Sequence, residues 1–176
     1  GIKIVPMFWG PAFGWEVASG YPWGFWAGSD YDLIKAGKER FVEKTGSLRA
    51  RANKLRIKLC HEIHPGTVAM CADDFNELVK ICDGDACLGV NADPSHCWEG
   101  EDWETRFRKV SDRVYACHVK NFAIRPGLPL RRMAPNWPDR AMQFTDLASG
   151  DLNLTRYAEM LINIGYPQRY CQVMGT

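Results

Sequence analysis

The sequence predicts an α/β fold built on a parallel sheet, and two observations carry that prediction. Short apolar segments alternate along the 176-residue chain with longer segments of helical periodicity, an order typical of βαβ units whose strands lie parallel. The connections that follow predicted strands are long and rich in Gly, Pro and Trp, most clearly over 9–29 and 120–150. Loops of that length are usually functional or mobile. In a parallel sheet they gather at the carboxyl ends of the strands, where ligands bind.

Nine elements follow from the hydrophobic pattern. Five short apolar segments are predicted to be strands: 2–8, 56–63, 87–92, 113–119 and 169–174. Four segments carry apolar residues at helical spacing and are predicted to be helices: 30–54, 72–82, 101–111 and 154–164. Ser29 and Asp30 would form the N-cap of the first helix.

Composition describes one globular domain, residues 1–176, and excludes several classes of partner. With 46% hydrophobic residues the chain can bury a sizeable core. A formal net charge of +1 argues against nucleic-acid binding, which usually needs a clustered basic excess. No apolar run approaches the ~18 residues of a membrane span. The seven cysteines are odd in number and lack CxxC spacing, so we expect reduced core thiols in a cytoplasmic protein.

Acidic residues and histidines collect at the ends of three successive predicted strands. Glu62 and His64 share one face of the second strand, because side chains alternate along a strand. Asp93 ends the third strand, and His118 lies near the end of the fourth. A buried carboxylate needs a partner, and a cation supplies one. Two carboxylates and an imidazole favour Mn²⁺, Mg²⁺ or Co²⁺, with Zn²⁺ as a further candidate.

A second interpretation of the same residues needs no metal. Glu62 would pair with Lys120, which shares a face with His118, and Asp93 would cap the turn that follows it. Spacing alone leaves both interpretations open.

Three strings of the sequence resemble one enzyme family. EIHPG (62–66), NADPSHCWEG (91–100) and VYACHVKN (114–121) are similar to the EMHPG, DPSHLxWQG and HVHAKD signatures of the sugar phosphate isomerase/epimerase group. The order and spacing of the strings agree, as does the helix in 150–166. The resemblance implies a TIM (β/α)8 barrel of the xylose-isomerase-like type, here a partial barrel covering about strands 4–8. The N-terminal strands are then expected to be missing from this chain.

The resemblance also assigns roles to individual residues. Glu62, Asp93 and His118 match the family's metal ligands, and Glu62 would also act as the catalytic base. His96 matches the histidine of the DPSH motif, near the metal or the substrate, and Lys120 matches the lysine of the HxKD motif. Both are counted with Glu62 as candidate catalytic residues.

Two positions depart from the family pattern. Where the family supplies a fourth ligand, a Glu at the end of the eighth strand, this chain has Gln172, whose neutral amide oxygen is the nearest candidate donor. Asn121 replaces the Asp of the HxKD motif.

The resemblance implies a metal-dependent sugar or sugar phosphate isomerase or epimerase, which moves a proton next to a carbonyl through a metal-stabilised enediolate. His64, Trp9 and Arg125 are expected to contact the substrate, with the aromatic residues of 8–26 and with Arg131 and Arg132 as further candidates. Ordinary loop packing, a subunit contact or a solvated loop would explain these aromatic and basic residues equally well. The expected partner is a small molecule, and self-association into a homo-oligomer stays open.

Three other functions compete with this one. An inositol-type ketone dehydratase of the same superfamily would use the same metal site. An inactive barrel remnant or binding protein would explain the missing fourth carboxylate. An apurinic endonuclease is disfavoured, because it needs three zinc ions, more than four histidines and a basic groove.

Overall fold

The computed structural model of the chain describes residues 1–10, 33–64, 67–97, 101–128, 141–166 and 171–173. For residues 33, 34 and 171–173 it describes the backbone only.

Five parallel strands form the main sheet, in the order β1-β2-β3-β4-β7. They are β1 (Ile4–Met7), β2 (Lys58–Glu62), β3 (Leu88–Ala92), β4 (Val114–Val119) and β7 (Cys171–Val173). Every neighbouring pair is parallel, and the register aligns Glu62 with Asn91 and His118 with Gln172. The five predicted strands are confirmed, and the sheet is the half-barrel that a partial TIM barrel requires.

In the described part of the chain, four α-helices connect the strands and confirm the periodicity of the sequence. They are α1 (Leu33–Leu55), α2 (Ala72–Ile81), α3 (Trp103–Lys109) and α4 (Leu154–Asn163). The side chains of Asp102 and Asn153 cap α3 and α4 by accepting hydrogen bonds from the first turn, at 2.9 and 3.0 Å. The N-cap predicted for α1 at Ser29 and Asp30 lies outside the described residues.

A short hairpin interrupts the segment that the sequence predicts as one long loop, 120–150. Strands β5 (Asn121–Ile124) and β6 (Met142–Thr145) pair antiparallel as a separate two-stranded sheet. The loop prediction is therefore wrong for these eight residues. Each strand has only four residues, too few to produce a clear alternating pattern, and their pairing depends on partners about 20 residues apart in the sequence.

Asn121 holds this hairpin against the chain that follows it. Its amide nitrogen donates to the carbonyls of Leu147 (2.8 Å) and Leu152 (3.2 Å), and its amide oxygen accepts from the backbone nitrogens of Phe122 and Leu152. An Asp could not make the two donations. The departure from the family's HxKD motif thus has a structural use in this chain.

The core lies between the sheet and its helices in two main clusters. One packs Phe75, Phe107 and Tyr157 against β3 and β4, and the other packs Phe41 and Leu78 against β2. Burying such side chains supplies the main stabilisation of the fold, at about 25 cal/mol per Å² of apolar surface.

The six cysteines whose side chains are described are free thiols, and five of them are buried. Burial raises the pKa of Cys60 and Cys97 to about 12, so both stay protonated. None of the helices that the structure describes has both the length and the apolar character needed to cross a bilayer.

Candidate metal centre

Glu62, Asp93 and His118 meet at the carboxyl ends of three adjacent strands. Glu62 is the last residue of β2, Asp93 directly follows β3, and His118 lies in β4. All three side chains are buried. The proximity predicted from the sequence is therefore present, because neighbouring parallel strands end at the same edge of the sheet.

Two imidazoles border the two carboxylates. Nδ1 of His118 lies 3.2 Å from Oε2 of Glu62 and 3.0 Å from Oδ2 of Asp93. Nε2 of His96, in the 3₁₀ turn Pro94–His96 after β3, lies 3.2 Å from Oε1 of Glu62 and 3.7 Å from Oδ2 of Asp93. These four residues and Lys120 are called the strand-end cluster below.

Lys120 brings an ammonium group to the same carboxylates. Its Nζ lies 2.5 Å from Oδ2 of Asp93 and 4.0 Å from Oε1 of Glu62. Asp93 also caps the turn after it, since its Oδ1 accepts hydrogen bonds from the backbone nitrogen and the hydroxyl of Ser95. The Lys120 ion pairs and the Asp93 cap, which the metal-free interpretation predicts, are therefore present beside the candidate metal ligands.

Asn91 contacts the strand-end cluster, and the sequence analysis missed it. Its amide nitrogen lies 3.2 Å from Oε2 of Glu62 and 3.1 Å from Nε2 of His118, and its side chain is buried. The signal for it was present, because Asn91 lies two residues before Asp93 and therefore on the same face of the strand.

The cluster keeps its carboxylates charged. Burial alone raises the pKa of Glu62, but its contacts with His118 and His96 outweigh burial and lower it. Burial likewise opposes the charge of Asp93, but His118, His96 and Lys120 together hold its pKa well below the usual range. Burial lowers the pKa of His118, whereas Asp93 and Glu62 raise it, with a net value of about 9.

The residues present fit a divalent cation. Oε1 of Glu62 is buried and makes no hydrogen bond to any described residue, although the His96 ring lies beside it. Ligand atoms of Glu62, Asp93 and His96 lie within 4.8 Å of one another, so His96 joins the two carboxylates where the sequence predicts His118. Nδ1 of His118 lies within 3.2 Å of both carboxylates as well. Two carboxylates with an imidazole form a donor set that Mn²⁺, Mg²⁺ and Zn²⁺ accept.

The other predicted site residues have different surroundings. The His64 ring lies 4.0 Å from the His96 ring, between centroids, and extends the cluster toward Phe8. Trp9 instead packs edge-on against Phe41 of α1, with ring centroids 4.8 Å apart, as part of the core. Arg125 is exposed at the end of the hairpin. Substrate contact by these three residues stays a prediction.

Several predictions fall outside what is described. The backbone of Gln172 pairs with His118, which puts it beside the cluster, but its side chain lies outside the described residues. The aromatic candidates from Phe13 to Trp26, Arg131 and Arg132 also lie outside them.

His61 lies next to Glu62 in the sequence but has a different environment. Its Nε2 lies 3.2 Å from the hydroxyl of Thr67, and burial lowers its pKa to about 4. The ring is therefore neutral at physiological pH, in agreement with the alternation that directs it to the other face of β2.

Comparisons with known proteins agree with this architecture. The sequence model of the xylose isomerase-like TIM barrel family matches residues 11–172. The comparison with curated proteins finds no match.

Solved structures share the fold at low sequence identity. The probable 3-DHS dehydratase AsbF of Bacillus anthracis is 17% identical with a TM-score of 0.67, over 99% of this chain and 57% of that one. A xylose isomerase-like TIM barrel protein from Mycobacterium smegmatis in complex with magnesium is 20% identical with a TM-score of 0.57, over 84% and 45%. D-psicose 3-epimerase of Clostridium cellulolyticum H10, solved with D-tagatose, is 19% identical with a TM-score of 0.56, over 84% and 44%.

The chain spans about half the length of these structures. Three observations agree: the parallel sheet with its connecting helices, the polar cluster at the carboxyl ends of the strands, and the family match over most of the sequence. The chain belongs to the xylose isomerase-like TIM barrel family.

Proposed function

We propose that the chain carries the metal-binding site of a sugar or sugar phosphate isomerase or epimerase, which moves a proton on a carbon next to a carbonyl. The proposal rests chiefly on Glu62, a charged, buried carboxylate with one oxygen that has no hydrogen bond among the described residues. Such an oxygen is available to accept a proton or to bind a cation. The epimerase among the structural neighbours supports a small sugar as the substrate class.

Glu62, Asp93 and His118 would hold the cation, and Mn²⁺, Mg²⁺ or Co²⁺ suits their oxygen-rich set better than Zn²⁺. The neighbour in complex with magnesium supports a hard cation. When bound, a divalent cation would stabilise the negative charge that develops on the substrate oxygen.

Side chains of this chain would transfer the proton, position the substrate and exclude water. Glu62 would accept the proton at Oε1, while Asn91 restrains Oε2 through its hydrogen bond. Lys120, within 4.0 Å of Oε1, would hold the substrate oxygen beside the base. The His64 and His96 rings would form one wall of the substrate pocket and help to exclude water.

A dehydratase is the second candidate, and Gln172 favours it over a two-base epimerase. Gln172 pairs with His118 on the neighbouring strand, where the family resemblance expects a carboxylate. An amide does not accept a proton at neutral pH, so Glu62 would act as a single base. One-base isomerisation and loss of water next to a ketone both need only one carboxylate, and the similarity to AsbF supports including the latter.

A metal-free role is favoured by one observation, the contact of Lys120 with Asp93 at 2.5 Å. In that role the ammonium group would neutralise the carboxylates permanently, and the chain would bind a ligand without catalysis.

Metal analysis combined with proton exchange tests these functions. We expect the purified chain to bind about one Mn²⁺ ion, and to exchange the α-proton of a ketose or a ketone of the inositol type in D₂O, detected by NMR. An isomerised product would indicate the isomerase, and loss of water the dehydratase. A chain that binds no divalent ion under any condition would contradict the metal-dependent proposal and support the Lys120 alternative.

A further inference from the structure

A buried arginine, Arg106 of α3, connects the segments that carry the metal-binding side chains. Its side chain is 3% exposed and contacts three backbone carbonyls from separate parts of the chain. One guanidinium nitrogen donates to the carbonyl oxygens of Ile63, at 3.3 Å, and His96, at 3.5 Å. The other terminal nitrogen donates to the carbonyl of Met70 at 3.3 Å.

Glu101 completes this connection. Its Oε2 accepts from Nε of Arg106 at 3.1 Å and from the backbone nitrogen of Ala72 at 3.0 Å. The carboxylate neutralises the buried guanidinium and ties it to the first residue of α2. The pair therefore joins the end of β2, the β2–α2 connection and the turn after β3.

We infer that Arg106 and Glu101 position Glu62, a proposed cation ligand, and the His96 ring beside it, and thereby maintain the affinity of the site for a cation; this inference rests on the proposed function. Ile63 directly follows Glu62, so fixing its carbonyl fixes the backbone that aims the Glu62 carboxylate. The carbonyl of His96 belongs to the residue whose ring borders that carboxylate. Groups that orient metal ligands typically change metal affinity by about 10- to 100-fold when they are removed.

Arg113 provides a matched control at the opposite edge of the sheet. Its guanidinium donates to the carbonyls of Asp85 (2.8 Å), Leu88 (3.2 Å) and Gly84 (3.1 Å). These carbonyls lie before or at the start of β3, far along the strand from Asp93. Both arginines thus satisfy three carbonyls, but only Arg106 does so beside the metal-binding residues.

The experiment measures Mn²⁺ binding by calorimetry and electron paramagnetic resonance in the unaltered chain, in Arg106→Met and in Arg113→Met. Both substitutions should lower the resistance to urea, because each removes a guanidinium that donates to three carbonyls. The loss should be smaller for Arg113→Met, since the carbonyl of Asp85 also accepts from the backbone nitrogen of Leu88 at 3.2 Å. We expect Arg106→Met to raise the Kd for Mn²⁺ about 10- to 100-fold and to alter the Mn²⁺ line shape at saturation. Arg113→Met should stay within about twofold, because distant sites act independently.

A variant with a smaller structural effect keeps the test decisive if Arg106→Met does not fold. Glu101→Gln retains an acceptor for Ala72 but loses the charge that holds Arg106, and a several-fold weaker Mn²⁺ affinity is expected. Equal affinities of the unaltered chain and Glu101→Gln, or of Arg106→Met and Arg113→Met, would overturn the inference alone. Absence of Mn²⁺ binding in the unaltered chain would instead overturn the proposed function, and the inference with it.

Discussion

Two lysines of this protein, Lys38 and Lys120, each lie between two carboxylates, but their surroundings differ. Lys38, in α1, contacts Asp74 at 3.0 Å and Glu77 at 2.5 Å, both in α2. Its own side chain is buried, whereas the side chain of Glu77 is 58% exposed. Water can therefore solvate part of this group, and the ion pairs join two helices on the outside of the sheet.

Lys120 contacts carboxylates that are themselves almost completely buried, with side-chain exposures of 4% for Glu62 and 0% for Asp93. Two imidazoles and the Asn91 amide lie against the same carboxylates. A lysine between two carboxylates is thus not a functional signal by itself. What distinguishes the Lys120 site from the Lys38 site is that many ionisable groups are buried together, an arrangement that folding alone does not require.

The largest expected difference between the two regions is in catalysis. Glu62→Gln should reduce α-proton exchange about 10³-fold, because the amide cannot accept the proton. The measurement is deuterium exchange by NMR with a substrate identified for the unaltered chain. Glu77→Gln, which changes a carboxylate in the Lys38 group, should leave the rate unchanged. Substantial residual activity in Glu62→Gln would refute the assignment of Glu62 as the base.

Removing Lys120 should lower the free energy of unfolding more than removing Lys38. Lys120→Met should destabilise the metal-free chain by about 3–5 kcal/mol, because it leaves two buried carboxylates without their ammonium partner. Lys38→Met should cost only about 1 kcal/mol, since its partners can turn to water. Urea unfolding measures both values.

Mn²⁺ separates the two effects further. Mn²⁺ should stabilise Lys120→Met more than the unaltered chain and so remove most of the difference between them. Lys38→Met, whose strand-end carboxylates are unchanged, should gain only as much as the unaltered chain and keep its deficit. If Mn²⁺ stabilised neither variant, the carboxylates at the strand ends would not be a cation site.

The response to pH should be the smallest of the three differences. The pKa of His118 is raised to about 9 from an unfolded value of 6.5. Its contribution to stability is therefore fully present below pH 6.5 and is lost as the pH rises through 9. The metal-free chain should lose about 2–3 kcal/mol over that interval.

Unfolding in urea at pH 6, 7.5 and 9 measures this loss. His118→Gln should lack it, whereas Lys38→Met, in a group without an imidazole, should retain it. An equal pH response in the unaltered chain and His118→Gln would show that another group is responsible.

Much of the fold could be predicted because its signals are local. The strand that ends in Glu62 and the helix that contains Phe75 and Leu78 each carry their period within a few residues. The meeting of Glu62, Asp93 and His118 followed from one topological fact, that parallel strands share a carboxyl edge.

The features that were missed depend on partners distant in the sequence. Strands β5 and β6 are too short to show a period of two and become visible only when paired. Arg106 lies on a helix with two further basic residues in its last turn, where a solvated side chain is the ordinary expectation. Its burial depends on carbonyls contributed by the connections after two other strands.

The Asp93 carboxylate is divided between two tasks, because Oδ1 binds the turn at Ser95 and Oδ2 contacts His118 and Lys120. It therefore cannot rotate toward a ligand without releasing the amide of Ser95. The hydrogen-exchange rate of the Ser95 amide would therefore report on the orientation of the Asp93 carboxylate, independently of any reaction at the site. This amide should exchange most slowly when Oδ1 of Asp93 accepts from Ser95 and Oδ2 keeps its contacts at the site.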